Sequence, residues 1–363
     1  MARVMASPKL QYSSLREKCL MAFSKWDLDA LPLSYAWKNG KRIRLLKTLY
    51  SSVCKNSCKY CALRRERRVC RTTWRTEKLV NLTLNLWKRD IVSGLFLSSG
   101  VFSDPENVVE KEIEIAFLLR EKGFNGYINL RLMPGTPRRL IWEAARVADR
   151  IGVNIEAVDS SLFYEIAPDK GSYKQDILRI LETSSRAWMT LRSKGCLKAG
   201  VATQMIVGLG ENDKQVISTT FNLIKHLKIT RVYYSPFTPI KGTPLESKPP
   251  CPKDRVKRLY QAFFLMKHYA FKLRDLQSLL DTTAMFPKVR DLKLFFSVTH
   301  KYLYPIDLNE ASYIDLLKVP GIGPRRARKL IFLRENGVNI NRDVLMKVLG
   351  MKNYRKASKY IVY

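Results

Sequence analysis

The residues best able to do chemistry lie in one short stretch, Val53-Cys54-Lys55-Asn56-Ser57-Cys58-Lys59-Tyr60-Cys61, where three thiols stand at C-x3-C-x2-C spacing. Three thiolates in a single loop can hold three irons of a [4Fe–4S] cluster and leave the fourth iron open to an external ligand. A structural zinc needs a fourth Cys or His nearby, for which Cys70 is the one candidate, and three buried unligated cysteines are the plainer alternative. The chain has seven cysteines, Cys19, Cys54, Cys58, Cys61, Cys70, Cys196 and Cys251. An odd number, with no apolar signal segment at the N-terminus, argues against a disulfide framework. The three histidines, His226, His268 and His300, all lie far from the cluster in sequence, so metal chemistry should be thiolate chemistry.

Such a loop works only on a scaffold that holds it. From about Ile43 to Ser235 the sequence repeats a short apolar run, rich in β-branched residues, followed by a segment of helical spacing. The candidate strands are residues 43–50, 94–99, 126–132, 152–158, 199–207 and 231–235, and the candidate helices 77–91, 105–122, 137–150, 173–194 and 213–227. Asp104 before Pro105 and Thr136 before Pro137 read as helix N-caps with proline in the first turn. Strands of near-continuous apolar character imply a parallel sheet covered by helices, and six units are too few for a closed eight-stranded barrel. The expected fold class is α/β, an open, partial (β/α)6 TIM-like barrel. The cysteine loop directly follows its first strand, and ligand sites in parallel α/β folds lie beyond the carboxyl ends of the strands.

The rhythm stops where Pro236, Pro239, Pro244, Pro249, Pro250 and Pro252 crowd together, and helices resume near Lys253. The expected organisation is an N-terminal helical extension (1–42), a barrel core (43–250), a helical connector (251–305) and a small all-α unit (306–363), in which Asn309 caps a helix through Leu317. Lys and Arg number 65 against 32 Asp and Glu, a net charge of +33 in a chain that is 46% hydrophobic. That is a folded protein with a cationic surface, suited to nucleic acid or another polyanion, with an acidic membrane surface the weaker alternative. The longest uncharged apolar stretch, residues 199–210, is too short to span a bilayer. The expectation is a cytoplasmic protein with no membrane partner.

With loop, spacing and fold rhythm in agreement, the sequence resembles the radical S-adenosylmethionine (SAM) superfamily, whose hallmark is this cysteine motif after the first strand of a partial (β/α)6 barrel. The resemblance extends to the aromatic residue before the last cysteine, Tyr60. It implies a [4Fe–4S] cluster held by Cys54, Cys58 and Cys61, with SAM bound at the fourth iron and cleaved by one electron to methionine and a 5′-deoxyadenosyl radical. It also implies an electron donor such as a ferredoxin or flavodoxin. Cofactor-binding positions carried over from the superfamily are Ser98, Ser99 and Gly100 at the end of the second strand, where serines replace the usual Gly-Gly-Glu-like residues. Arg131 ends the third strand, Asn154 and Glu156 lie in the fourth, and Gly208 lies in the Gly-rich segment after the fifth. For Glu156 the plainer reading is a carboxylate paired with a core arginine. No second cysteine set offers an auxiliary cluster.

Near the C-terminus, Leu317-Lys318-Val319-Pro320-Gly321-Ile322-Gly323-Pro324-Arg325-Arg326-Ala327 resembles the helix-hairpin-helix element of DNA repair and DNA-uptake proteins. Gly321 and Gly323 permit a tight hairpin with free N–H groups, and Pro324 opens the next helix. Arg325, Arg326, Arg328 and Lys329 surround that small anion nest with charge. Such an element holds phosphodiester backbone without reading bases. A second basic run, Arg64, Arg65, Arg67, Arg68, Arg71 and Arg75, follows the cysteine loop with only Glu66 interleaved and reads as a track guiding a polyanion toward the cluster. Tyr233, Tyr234 and Phe237 are candidates for stacking a base. Taken whole, the chain is similar to a family of radical SAM proteins described as acting in DNA modification or repair. That implies radical chemistry on nucleic acid, DNA favoured over RNA. Modification of RNA and a non-enzymatic iron–sulfur nucleic-acid-binding protein are the alternatives.

Overall fold

The computed structural model describes residues 33–38 and 41–363. Strand β1 (Leu33–Lys38) pairs antiparallel with β2 (Lys41–Leu49), Leu33 opposite Leu46 and Lys38 opposite Lys41. The expected helical extension therefore fails at residues 33–38, 41 and 42, which are strand; residues 1–32, 39 and 40 of that segment lie outside the described residues. The antiparallel pairing of these residues with β2 overrides the helical reading of this stretch.

After β2 come β3 (Gly94–Ser98), β4 (Tyr127–Arg131), β5 (Arg150–Gly152), β6 (Gly200–Val207) and β7 (Arg231–Pro236), in a seven-stranded sheet ordered β1 to β7 along the chain. The six parallel strands form the curled half-barrel expected of a partial TIM-like fold. Register separates the two faces. Leu46, Leu95 and Ile128 are aligned on one face, as are Leu97 and Leu130, and all are fully buried. Phe96, Asn129 and Arg150 are aligned on the opposite face, with Arg131 two residues beyond Asn129. Helices α1 (Thr76–Lys88), α2 (Pro105–Glu121), α3 (Arg138–Val147), α4 (Ser160–Ile166), α5 (Arg179–Leu191, entered through a π-helical turn at Tyr173–Leu178) and α6 (Asp213–Lys225) alternate with the strands.

Local chemistry explains the boundaries. Asp104 caps α2 by accepting the Asn107 N–H at 2.8 Å, with Pro105 in the first turn. Thr136 is not a cap: its hydroxyl donates back to the Met133 carbonyl at 2.5 Å, and α3 begins after Pro137. The fourth ladder ends at Gly152, whereas the apolar run extends to Val158. Glu156 at φ +61° turns the chain out of register, leaving one bridge to Met205. The short helix α4 has no counterpart among the expected helices; Asp159 caps it through the Leu162 N–H.

The chain divides into two compact units, one up to Met205 with residues 227–233 and 238–249, the other of residues 206–226, 234–237 and 250–363. The second unit holds α6, α7 (Lys253–His268), α8 (Leu273–Gln277), α9 (Leu292–Thr299), α10 (Tyr313–Lys318), α11 (Pro324–Glu335), α12 (Arg342–Leu349) and α13 (Met351–Ala357). Its C-terminal part packs around Leu308, Leu316, Val319, Ile322, Leu330, Ile340 and Leu345. This part is not purely helical: β8 (Ile306–Asp307) pairs in parallel with β9 (Ile361–Val362). Ser312 caps α10 in a capping box with Asp315, whereas Asn309 spans to both the N–H and the carbonyl of Ile340.

Candidate active site and nucleic-acid interface

The cysteine loop leaves the carboxyl end of β2 and is fixed from several directions. The Lys55 N–H donates to the Val101 carbonyl at 2.9 Å and the Lys59 N–H to the Ile166 carbonyl at 2.8 Å, and the Ser57 N–H reaches Asp169 at 3.2 Å. Gly100 donates to the Ser51 carbonyl at 2.8 Å, and any side chain on it would overlap the Val53 carbonyl and touch Cys54. Its role is therefore close backbone approach. Ser98 lends its carbonyl to the Tyr50 N–H, and the Ser99 hydroxyl turns back to the Gly100 carbonyl at 2.8 Å.

Three arginines of the basic run build this loop. Arg71 donates to the carbonyls of Ser52, Leu63, Arg64 and Arg67. Arg67 donates to Ala62 and Lys241, and Arg64 to Ser57 while pairing with Glu66. Arg65 pairs with Glu66 and Asp169. Arg65, Arg68 and Arg75 are exposed, so half of the run is scaffold.

Of the thiols, Cys58 is buried and Cys54 and Cys61 half-buried. Burial pushes the Cys58 thiol up to about 12, with Lys170 opposing and the neighbouring thiols and Glu156 adding to the rise. Burial likewise raises Cys61, against the Leu63 N–H on its sulfur. The loop by itself does not ionise these thiols; the positive charge of bound iron would. Among the described residues no three His, Cys, Asp or Glu side chains converge on a point suited to a single metal ion. A cluster, which spreads its thiolates over separate irons, has no such requirement.

Beside the thiols stands a residue that sequence reasoning misses. Lys170, on the loop after α4, is ion-paired with Glu156, and its amine lies 3.5 Å from the Tyr60 hydroxyl. Burial disfavours its charge, yet the Glu156 carboxylate, through its charge and hydrogen bond, outweighs that and holds the amine above the ordinary lysine range. Glu156 therefore meets a core lysine in place of the arginine that the plainer reading supposes. Pro168-Asp169-Lys170-Gly171 reads as a turn in sequence, and nothing there names its partners. Asn154 presents a buried Oδ1 with no hydrogen-bond partner, and so does Asn129 on the face shared with Arg131. Arg131 donates to the Ala202 carbonyl at 3.1 Å and lies 5.5 and 5.4 Å from the rings of Phe96 and Tyr233. Tyr233 also takes a hydrogen bond from Arg150, and Tyr234 and Phe237 are buried, so these aromatics are packed rather than open to a base.

Residues 48–221 match the radical SAM superfamily, and residues 304–361 match the helix-hairpin-helix motif. Residues 48–221 form a radical SAM domain, and residues 304–361 carry a helix-hairpin-helix motif. A biotin synthase of Campylobacter hominis is 38% identical over 82 residues, 23% of this chain and 25% of that protein. An uncharacterized protein of Methanocaldococcus jannaschii is 24% identical over 130 residues, 34% of this chain and 32% of the other. Among solved structures, methylornithine synthase (PylB) superposes with a TM-score of 0.50 at 17% identity, covering 62% of this chain and 64% of that one. The chain thus spans a quarter to a third of the length of these curated relatives, and the structural likeness speaks to fold alone.

The cofactors of the radical SAM domain are a [4Fe–4S] cluster and SAM. The residues present fit them. Three thiols share one loop, and Gly100 leaves the cramped backbone they need. The lone buried Oδ1 of Asn154 is an acceptor awaiting a donor such as a ribose hydroxyl, and the Lys170–Glu156 pair offers a cation and an anion to a zwitterionic amino acid. Gly208 belongs to the second unit, where its φ of +101° and close approach to Cys251 demand glycine. Glu211 there accepts the N–H groups of Gly208 and Leu209 and is itself held by Arg255.

At the hairpin, Gly321 adopts φ +85°, and a side chain on it would collide with the Asn353 carbonyl. The N–H groups of Gly321 and Gly323 make no hydrogen bond to the described residues. Arg325, Arg328 and Lys329 are exposed and Arg326 is half-buried. No helix among the described residues is long and apolar enough to cross a membrane.

Proposed function

We propose that this chain is a radical SAM enzyme acting on nucleic acid, with DNA its favoured substrate in a modification or repair reaction. The observation that carries the reading is the pairing, in one chain, of a cysteine-loop barrel with a hairpin whose glycine N–H groups are unspent and whose flanking Arg325, Arg328 and Lys329 are exposed. Free backbone donors beside a helix start and guanidinium groups grip phosphate oxygens without regard to sequence. When bound, the cluster and SAM supply a 5′-deoxyadenosyl radical that abstracts hydrogen from the substrate. Cys54, Cys58 and Cys61 would hold the iron, Asn154, Glu156 and Lys170 would orient SAM, and Arg131 would present charge within the barrel. A ferredoxin- or flavodoxin-like donor supplies the electron.

The test is anaerobic reconstitution followed by incubation with deuterium-labelled DNA or RNA. Label from DNA should appear in 5′-deoxyadenosine, and Cys58→Ala should remove both iron and transfer. Label arriving from RNA alone would reassign the substrate. Uncoupled SAM cleavage with neither polymer would refute a nucleic-acid reaction.

A further inference from the structure

We propose that the helical connector and the hairpin together form a pocket for a nucleotide bearing a phosphate monoester, either the 5′-terminal nucleotide of a strand or a free nucleoside monophosphate. The proposal builds on the nucleic-acid reading above and adds a site beyond the hairpin's own backbone donors.

Within the second unit, a cavity of about 310 Å³ opens between α7, the start of α9, the hairpin and α13. That is larger than a phosphate needs and falls at the lower end of small-ligand sites. Phe264 and Tyr269 line it; Phe264, 38% exposed and stacked with His268, adds aromatic surface on which a base can pack. The lining also carries Lys293, Arg326 and Lys356, with Asp291 the one carboxylate. With Lys293 protonated the local excess is two positive charges, which matches a phosphate monoester and exceeds the single charge of a phosphodiester.

The cations are only partly neutralised. Asp291 spends Oδ1 on the N–H groups of Lys293 and Leu294, capping α9, and its Oδ2 lies 3.9 Å from the Lys356 amine. Arg326 makes no hydrogen bond or ion pair to the described residues. Lys293 is 9% exposed; its amine donates to the Ile322 carbonyl at 2.6 Å and lies 4.7 Å from the Tyr269 ring centroid. One of its three donors is thus used, on the very hairpin that carries the unspent Gly321 and Gly323 N–H groups, and both glycines line the same cavity. Burial pushes this amine down to about 7, with Asp291 opposing. An anion in the cavity would restore the charged form of this amine. Lys293 thereby does two things: it fixes the hairpin through Ile322 and offers its remaining donors to the phosphate.

The test uses the full chain and a fluorescent oligonucleotide carrying either a 5′-phosphate or a 5′-hydroxyl, with adenosine 5′-monophosphate as competitor. The 5′-phosphorylated strand should bind about tenfold more tightly, and the monophosphate should erase that difference where adenosine does not. Lys293→Met and, because that change can shift the hairpin, separately Lys356→Ala should each reduce the preference several-fold while binding of the 5′-hydroxyl strand persists. Equal affinity for both strands, with no competition by the monophosphate, overturns the pocket and leaves the hairpin reading standing. Monophosphate binding lost in both variants, with no affinity for either strand, keeps the pocket and removes the hairpin reading. Absence of all binding overturns both.

Discussion

Two arginine-rich segments look alike on paper and are used oppositely in the fold. After the cysteine loop, Arg64, Arg67 and Arg71 turn inward and give donors to carbonyls in and just after that loop, Arg71 alone serving four and Arg67 also reaching Lys241. At the hairpin, Arg325, Arg328 and Lys329 stay on the surface, and Arg328 spends one donor on the Pro324 carbonyl. The difference follows from what each backbone leaves unsatisfied. A loop without ladder partners strands its carbonyls, and guanidinium groups, with five donors in a planar fork, can collect several at once. A hairpin opening a helix instead strands N–H groups, which no arginine can satisfy and an anion can. Charge density alone says nothing of which role an arginine takes.

The contrast breaks most visibly at Arg71. Arg71→Met should strand four part-buried carbonyls, lower the stability of the barrel unit by about 2–4 kcal/mol, and cut iron retention after reconstitution. Denaturant melts and iron assays check this; unchanged iron content would show that the cysteine loop holds its shape without the arginine. Replacing Arg325, Arg328 and Lys329 together with alanine should leave the melt within about 0.5 kcal/mol of the parent. The same triple change should flatten the salt dependence of duplex binding by roughly 0.9 log units for each phosphate no longer neutralised. An unaltered salt slope would move those residues to the solvated background. A third effect is one of pH. In the unfolded chain Lys293 titrates near the ordinary value of about 10.4, whereas in the fold burial holds it down to about 7. Between these values the unfolded chain binds the additional proton, so stability rises with pH across that window, by at most about 1.4 kcal/mol per unit, and is lowest at and below pH 7. Chemical denaturation at pH 7.5 and pH 9 should show the rise in the parent and its loss in Lys293→Met.

What is legible in the sequence is what depends on local spacing. The three cysteines sit in one loop, the six-strand rhythm gives the half-barrel, and Asp104 caps its helix because cap chemistry is confined to a few residues. What is not legible depends on distant partners. Lys170 and Lys293 look like solvated lysines in a turn and at a helix start, and only the fold reveals the carboxylate of Glu156 or the carbonyl of Ile322 waiting for them. The fourth strand lies earlier than its apolar run suggests, because that run stays buried after the ladder stops, and burial alone does not distinguish a strand from an irregular segment. Thr136 and Asn309 are caps by residue type, but each finds a closer or better partner in the fold.

The short pairing of β8 with β9 sets Ile306 beside Ile361, and the Leu308 N–H closes on the Val362 carbonyl at 3.0 Å. The hairpin region is therefore a ring fastened at one point, its two ends neighbours in space. A few residues of linker could join those ends, and new ones could be opened at Gly337, an exposed turn with φ +75° and open space around its Cα. A permuted hairpin of that kind should keep its core around Leu316 and Leu345, since no buried strand or helix is cut, and would serve as a portable grip to graft onto an unrelated scaffold.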